Sequence, residues 1–227
     1  MEVSIVINLL RQKSSPVYLD GMQRFGIANQ RALGVRVSDL RQIAKTIKKD
    51  HELALELWKT GIHEARILAS MIDDPNKVTE AQFDSWTADF NSWDVCDQIC
   101  SNLLHYTPFA VAKAIDYSAR SEEFIKRAGF VLMAARAVKD KQADDLIFLQ
   151  FFPIIEREAN DGRNFVKKAV NWALRQIGKR NSNLKKMATA SAERIMEQSS
   201  KSAKWIATDA LRDLSNSAAG KRKAKAH

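Results

Sequence analysis

A stack of short α-helices is the fold class this sequence predicts, and three observations predict it. Apolar residues recur at helical spacing, as in Ile5, Leu9 and Leu10, or Phe130, Val131, Ala134, Ala135 and Val138, and no stretch sustains the alternation of a strand. Only 8 Gly and 4 Pro occur in 227 residues, too few for the tight turns of an all-β protein. Helix-start residues recur along most of the chain, each followed by an apolar-periodic segment.

The elements follow in order. Residues 2–13 carry the Ile5–Leu9–Leu10 stripe, and Pro16 behind Ser15 opens 16–28 as a first-turn proline behind a cap. Ser38 precedes 38–49; segments 51–60 and 63–73 follow. Thr79 precedes 79–90, Ser92 precedes 93–105, and Pro108 behind Thr107 opens 108–119. Ser121 precedes 122–138, after which come 142–158, 163–180, 182–197 and 200–214. Thirteen short helices on short links must stack pairwise, each pair burying a face against the next, which makes an α-solenoid with a concave face. No boundary is legible inside it, so residues 1–216 read as a single domain and 217–227 as a flexible basic tail ending in Gly220-Lys221-Arg222-Lys223-Ala224-Lys225-Ala226-His227.

Composition narrows the function. The N-terminus Met1-Glu2-Val3-Ser4-Ile5-Val6 has an acid where a secretory signal has bases, and no apolar run approaches the ~20 residues that span a bilayer. A cytoplasmic protein without a membrane partner is expected, and a monomer. Cys96 and Cys100 lie one helical turn apart, a poor geometry for a disulfide, and two cysteines alone do not make a structural zinc site. They read as buried thiols. His51, His63 and His105 have no partner at i, i+4, and no glycine-rich phosphate loop or redox CxxC occurs, so neither metal nor cofactor is expected.

Charge is unevenly distributed. The net is +9, but residues 162–227 hold sixteen Lys and Arg against four Asp and Glu, a net of +12, which leaves −3 for the first 161 residues. A basic C-terminal third on a near-neutral body suits a polyanion, and Lys167, Lys168, Arg175, Lys179 and Arg180 are its candidate phosphate contacts. The alternative is a solvated face that binds nothing.

The segment Asn91-Ser92-Trp93-Asp94-Val95-Cys96-Asp97 carries the chemistry. A helix starting at Ser92 sets Trp93 and Asp97, four residues apart, on one face near its positive end. An indole face and a carboxylate both attract positive charge, so the pair suits a developing sugar cation. Asp94 reads as a first-turn acid favoured by the helix dipole. Trp58, Trp86 and Trp205 read as core, the usual place for a helical Trp.

Four stretches resemble the AlkD family of bacterial alkylpurine DNA glycosylases: Gly34 to Lys45 (GVRVSDLRQIAK), Leu57 to Ala69 (LWKTGIHEARILA), Ser92 to Ile99 (SWDVCDQI), and Arg127-Ala128-Gly129 with Lys168 to Arg175 (KAVNWALR). They fall in the family's order, from about residue 20 to about residue 180. The resemblance implies HEAT-like repeats curved into a solenoid whose concave basic groove holds double-stranded DNA with N3- or N7-alkylated purines. It assigns Asp97, Trp93 and Trp172 to the catalytic cleft and Arg127 to a flanking phosphate. Lys126, beside Arg127, is a further candidate DNA contact. It also implies hydrolysis on the sugar while the base stays stacked, without the snug pocket of a base-flipping enzyme. Val37 replaces a proline that often follows the glycine of the first motif, and Ser92 stands where some members have an aromatic. Phe25, counted back from Gly34, is a candidate for an aromatic that other members carry near DNA. The expected activity is a monofunctional alkylpurine DNA glycosylase. The competing reading is a non-catalytic helical-repeat scaffold that binds DNA or protein.

Overall fold

The computed structural model describes residues 1–27 and 31–217, so the tail expected over 217–227 lies outside the described residues from position 218 onward. Among the described residues there are fourteen α-helices and no strand. The chain divides into two compact units, Met1–Thr107 and Pro108 onward.

The first unit holds α1 (Val3–Gln12), α2 (Pro16–Arg24), α3 (Val37–Ile47), α4 (His51–Lys59), α5 (His63–Ile72), α6 (Glu80–Ala88) and α7 (Trp93–Asn102), with a 3-10 turn at Leu104–Tyr106. Its centre is α5, which packs against α1, α3, α4 and α7 and is buried along most of its length, from His63 and Glu64 through Ile67, Leu68 and Ile72. The buried Glu64 carboxylate accepts three backbone N–H groups, from Leu33 (2.8 Å), Gly34 (2.7 Å) and Val35 (3.1 Å), and so ties the entry to α3 onto α5. Trp58 on α4 and Trp86 on α6 are in the core as expected, with ring centroids 4.0 Å apart and planes 3° from parallel. Arg66 lies over the Trp58 ring at 4.9 Å, and Asp89 accepts both from Arg66 (2.8 Å) and from the Trp58 indole N–H (2.9 Å).

The second unit holds α8 (Ala110–Ser118), α9 (Glu123–Lys139), α10 (Asp145–Leu149), α11 (Phe151–Glu158), α12 (Asn164–Gly178), α13 (Ser182–Met196) and α14 (Lys201–Asn216). Here α9 is central, between α8 and α12, and α14 packs on α12 and α13. Gly129 lets α8 and α9 approach closely: a Cβ there would stand 2.6 Å from the Ser118 nitrogen and 2.9 Å from the Ala114 carbonyl oxygen. The glycine of the Arg127-Ala128-Gly129 motif is thus a packing residue.

Several expectations are corrected. The single helix over 142–158 is two, α10 and α11, because Pro153 has no N–H for the Leu149 carbonyl and its ring crowds that turn. Restarting at Phe151 moves Pro153 into a first turn, where no donor is required. The helix over 93–105 stops at Asn102. The helix over 16–28 stops at Arg24, where Gly26 at φ +69° lets its own N–H and that of Ile27 turn back to the Gln23 and Met22 carbonyls. Ser15 and Thr79 cap as expected, accepting from Tyr18 and Gln82. Ser38 does not cap, since α3 starts one residue earlier; Ser121 and Thr107 also make other bonds, to the Glu122 carboxylate and the Leu104 carbonyl. Asp50, Asn181 and Ser200 supply caps the sequence reading passed over. Cys96 and Cys100 are buried thiols that form no disulfide. Trp205 is not core: its side chain is 40% exposed on α14.

Gly129→Ala forces the α8 backbone away from α9 and should cost about 1–3 kcal/mol, the usual penalty for overpacking. A fall in the urea midpoint at unchanged slope is the expected reading.

Candidate nucleic-acid interface and hydrolytic site

The helix α7 buries Val95, Cys96, Ile99 and Cys100, so the half-buried Trp93, Asp97 and Gln98 fall on its more open side. Trp93 and Asp97 share a face one turn apart at the N-terminal end, where the helix dipole favours an anion. The Trp93 indole N–H donates to the Phe25 carbonyl (2.9 Å), which fixes the ring through its polar edge. That carbonyl is presented by the turn at Gly26, and the Phe25 ring is itself 72% exposed.

The start of α7 is held by a network the sequence reading missed. Ser92 adopts extended backbone at φ −153°, and its hydroxyl makes no cap bond; it donates instead to Asp94 Oδ1 (2.7 Å). His63 Nε2 donates to Asp94 Oδ2 at 2.8 Å, from a side chain that is almost fully buried. Burial pushes the Asp94 carboxyl up, but the hydrogen bond and charge of His63, with Ser92 and the Val95 backbone, outweigh it and hold the group below the usual carboxylate range. Asp94 is therefore more than an acid set by the helix dipole. It locks α5 to the turn that aims Trp93 and Asp97. His63 and Asp94 are 31 residues apart, so no i, i+4 search finds them.

In the second unit Arg127 is 6% exposed, and its guanidinium donates to the Phe165 carbonyl in the first turn of α12. Lys126 is also buried, with Nζ 2.6 Å from Glu158 and 3.5 Å from Asp161. Burial raises both acids, yet the bonds from Lys126 and Arg157 to Glu158, and from Arg163 to Asp161, hold both below their usual range. Trp172 stands half-buried on α12, four residues after the exposed Lys168 and three before Arg175. Behind it, Asn171 donates to the Ile206 carbonyl of α14 (3.1 Å).

The other basic candidates bridge helices. Arg175 lies 3.4 Å from Asp209 and 3.8 Å from Asp213, and Lys179 is paired with Asp213 at 2.5 Å. Arg180 donates to the carbonyls of Ala137 (2.8 Å), Asp140 (2.7 Å) and Ala143 (3.0 Å) around the end of α9, and burial lowers its pKa. Lys167 sits over the Trp205 ring at 4.9 Å. Much of the excess positive charge thus meets carboxylates, carbonyls or a ring inside the protein.

A family model described as DNA alkylation repair enzyme matches residues 6–214. This chain belongs to that family. Among solved structures, the DNA alkylation repair chain superposes on one described as "a new family of proteins related to the HEAT-like repeat DNA glycosylases with affinity for branched DNA structures", at TM-score 0.75 and 21% identity, over 93% of this chain and 95% of the other. At that identity the likeness shows a HEAT-like repeat fold. No curated protein matches the sequence. Among the described residues, no helix is long and apolar enough to cross a membrane.

Because the folded-state Asp94 carboxyl titrates below its ordinary value, its stabilisation is fully present above that value and is lost as pH falls through the lowered one. Asp94→Asn should melt lower than the parent at neutral pH, and the gap should close as pH drops below ~4. Parallel melting curves down to the acid limb would show that the carboxylate does not hold α7.

Proposed function

We propose that this protein is a monofunctional DNA glycosylase that hydrolyses the N-glycosidic bond of cationic N3- or N7-alkylated purines in duplex DNA. The observation that carries the reading is the Trp93–Asp97 face of α7, with its indole pinned to the Phe25 carbonyl and its helix start locked by His63 and Asp94. An alkylated purine is already positive, so when the C1′–N bond breaks its electron pair leaves a neutral base and no general acid is required. The charge passes to the deoxyribose. Asp97 stabilises that oxocarbenium character and orients the water whose oxygen bonds C1′, and the water's proton leaves through the carboxylate or solvent. The roles the resemblance assigns complete the reaction: Trp93 and Trp172 pack on the sugar, and Arg127, held on the Phe165 carbonyl, is assigned to the flanking phosphate. Since the work is done on the sugar, the base stays stacked and no nucleobase pocket is required.

Incubation with a duplex bearing one N7-methylguanine, followed by alkali to cut abasic sites, tests the reading. Asp97→Asn keeps the shape and removes the anion, so single-turnover excision should fall by ~10²–10³ with duplex affinity held or slightly raised. Excision by Asp97→Asn at the parent rate would remove the carboxylate from the reaction.

The second reading, a non-catalytic binder of DNA, is favoured by the affinity for branched DNA ascribed to the structural neighbour. A parent protein that binds junctions but excises nothing would establish it. In either case Lys167, Lys168, Arg175, Lys179 and Arg180 are the proposed phosphate side. Asp213→Asn should then free Lys179 and loosen Arg175, which keeps Asp209, tighten duplex binding at low salt and steepen its salt dependence by about one phosphate contact. An unchanged slope would take these two bases off the DNA.

A further inference from the structure

Trp205 is the place where the fold departs most informatively from a helical Trp's usual position. Its neighbours on α14, Ala203, Ile206, Ala207 and Ala210, are buried, while its own ring is 40% exposed. An indole left open to water is not accounted for by packing. The surrounding charge is positive. The Lys167 ammonium of α12 lies over the ring at 4.9 Å, the exposed Lys201 stands one turn earlier on the same side of α14, and the exposed Lys204 is adjacent in sequence. Asp209, one turn further on, is taken up by Arg175 (3.4 Å) and Arg212 (2.5 Å) and does not offset these lysines.

We propose that Trp205, with Lys167, Lys201 and Lys204, is a binding platform for an unpaired DNA strand, separate from the Trp93–Asp97 face. A flat aromatic surface ringed by ammonium groups suits single-stranded nucleic acid: an unstacked base lies on the indole, and the lysines follow the phosphates on either side. The ring already holds a cation by the attraction that Lys167 shows. Because the lysine stem is long and flexible, an arriving base takes over the ring face while the Lys167 ammonium moves to a phosphate. Duplex bases are stacked on each other and have no open face for the indole, so the platform discriminates in favour of unpaired segments. A fully paired helix gains only the phosphate contacts. The inference uses the family's DNA partner but not the hydrolytic reading, and the two fail separately.

Binding of a short oligothymidylate and of an undamaged duplex is titrated for the parent, Trp205→Phe and Trp205→Leu, with excision of N7-methylguanine from a duplex measured in parallel. Phenylalanine keeps a π face, whereas leucine keeps apolar bulk without one. Trp205→Leu should weaken oligothymidylate binding by roughly tenfold, the loss of one stacked base, with Trp205→Phe close to the parent and duplex binding unchanged in both. Lys167→Ala should flatten the salt dependence on the single strand by a little under one unit. Equal binding by the leucine and phenylalanine variants would overturn the platform and leave an apolar face suited to a protein. A parent that ignores oligothymidylate would overturn it outright. Excision lost in the parent with oligothymidylate binding intact would end the glycosylase reading alone.

Discussion

Two adjacent residues at the head of α5 hold together the parts of the first unit that matter most. Glu64 reaches back to three successive amides at Leu33, Gly34 and Val35, and His63 reaches forward to Asp94 at the start of α7. A carboxylate that accepts three donors, two of them buried, is hard to replace, since losing it would leave the amides of Gly34 and Val35 without partners where water does not reach. A buried imidazole that donates to a carboxylate is similarly constrained. Through these bonds the positions of α3 and α7 are both set by α5, itself enclosed by neighbours. The open face with Trp93 and Asp97 therefore stands on an interior polar frame more than on its own contacts.

The second unit solves a different problem with the opposite sign of charge. Its lysines and arginines are numerous, but many act as cross-links: Lys126 to Glu158 and Asp161, Arg175 and Lys179 to the acids of α14, Arg180 to the carbonyls that close α9. Bridges of this kind specify which helix sits beside which more than they stabilise, because desolvation offsets much of the Coulomb attraction. A basic composition therefore overstates the positive field outside the protein. What reaches solvent is a smaller set, Lys168, Lys201 and Lys204 among them.

The repeating helices were legible because each carries its own apolar stripe, and a stripe is local information. The Trp93–Asp97 relation was legible for the same reason, as both residues lie on one turn of one helix. The break at Gln150 could also have been read, since Pro153 announces it. What was not legible is what crosses from helix to helix: His63 with Asp94, Glu64 with the amides before α3, the Phe25 carbonyl under the Trp93 indole. Each joins residues about thirty or more positions apart, with no spacing rule to relate them. Trp205 misled for a subtler reason. Periodicity says which residues share a face of a helix, but the width of the partner decides where the covered strip ends, and Trp205 lies just beyond the strip that α12 and α13 cover.

The parallel indoles of Trp58 and Trp86 lie at contact distance, closed in by Arg66 and Asp89. At that spacing their electronic transitions couple, so the pair absorbs and emits differently from separated tryptophans. The stack lies wholly within the first unit. It gives that half of the molecule an optical signature of its own, by which its folding can be followed independently of the half that carries Trp172 and Trp205.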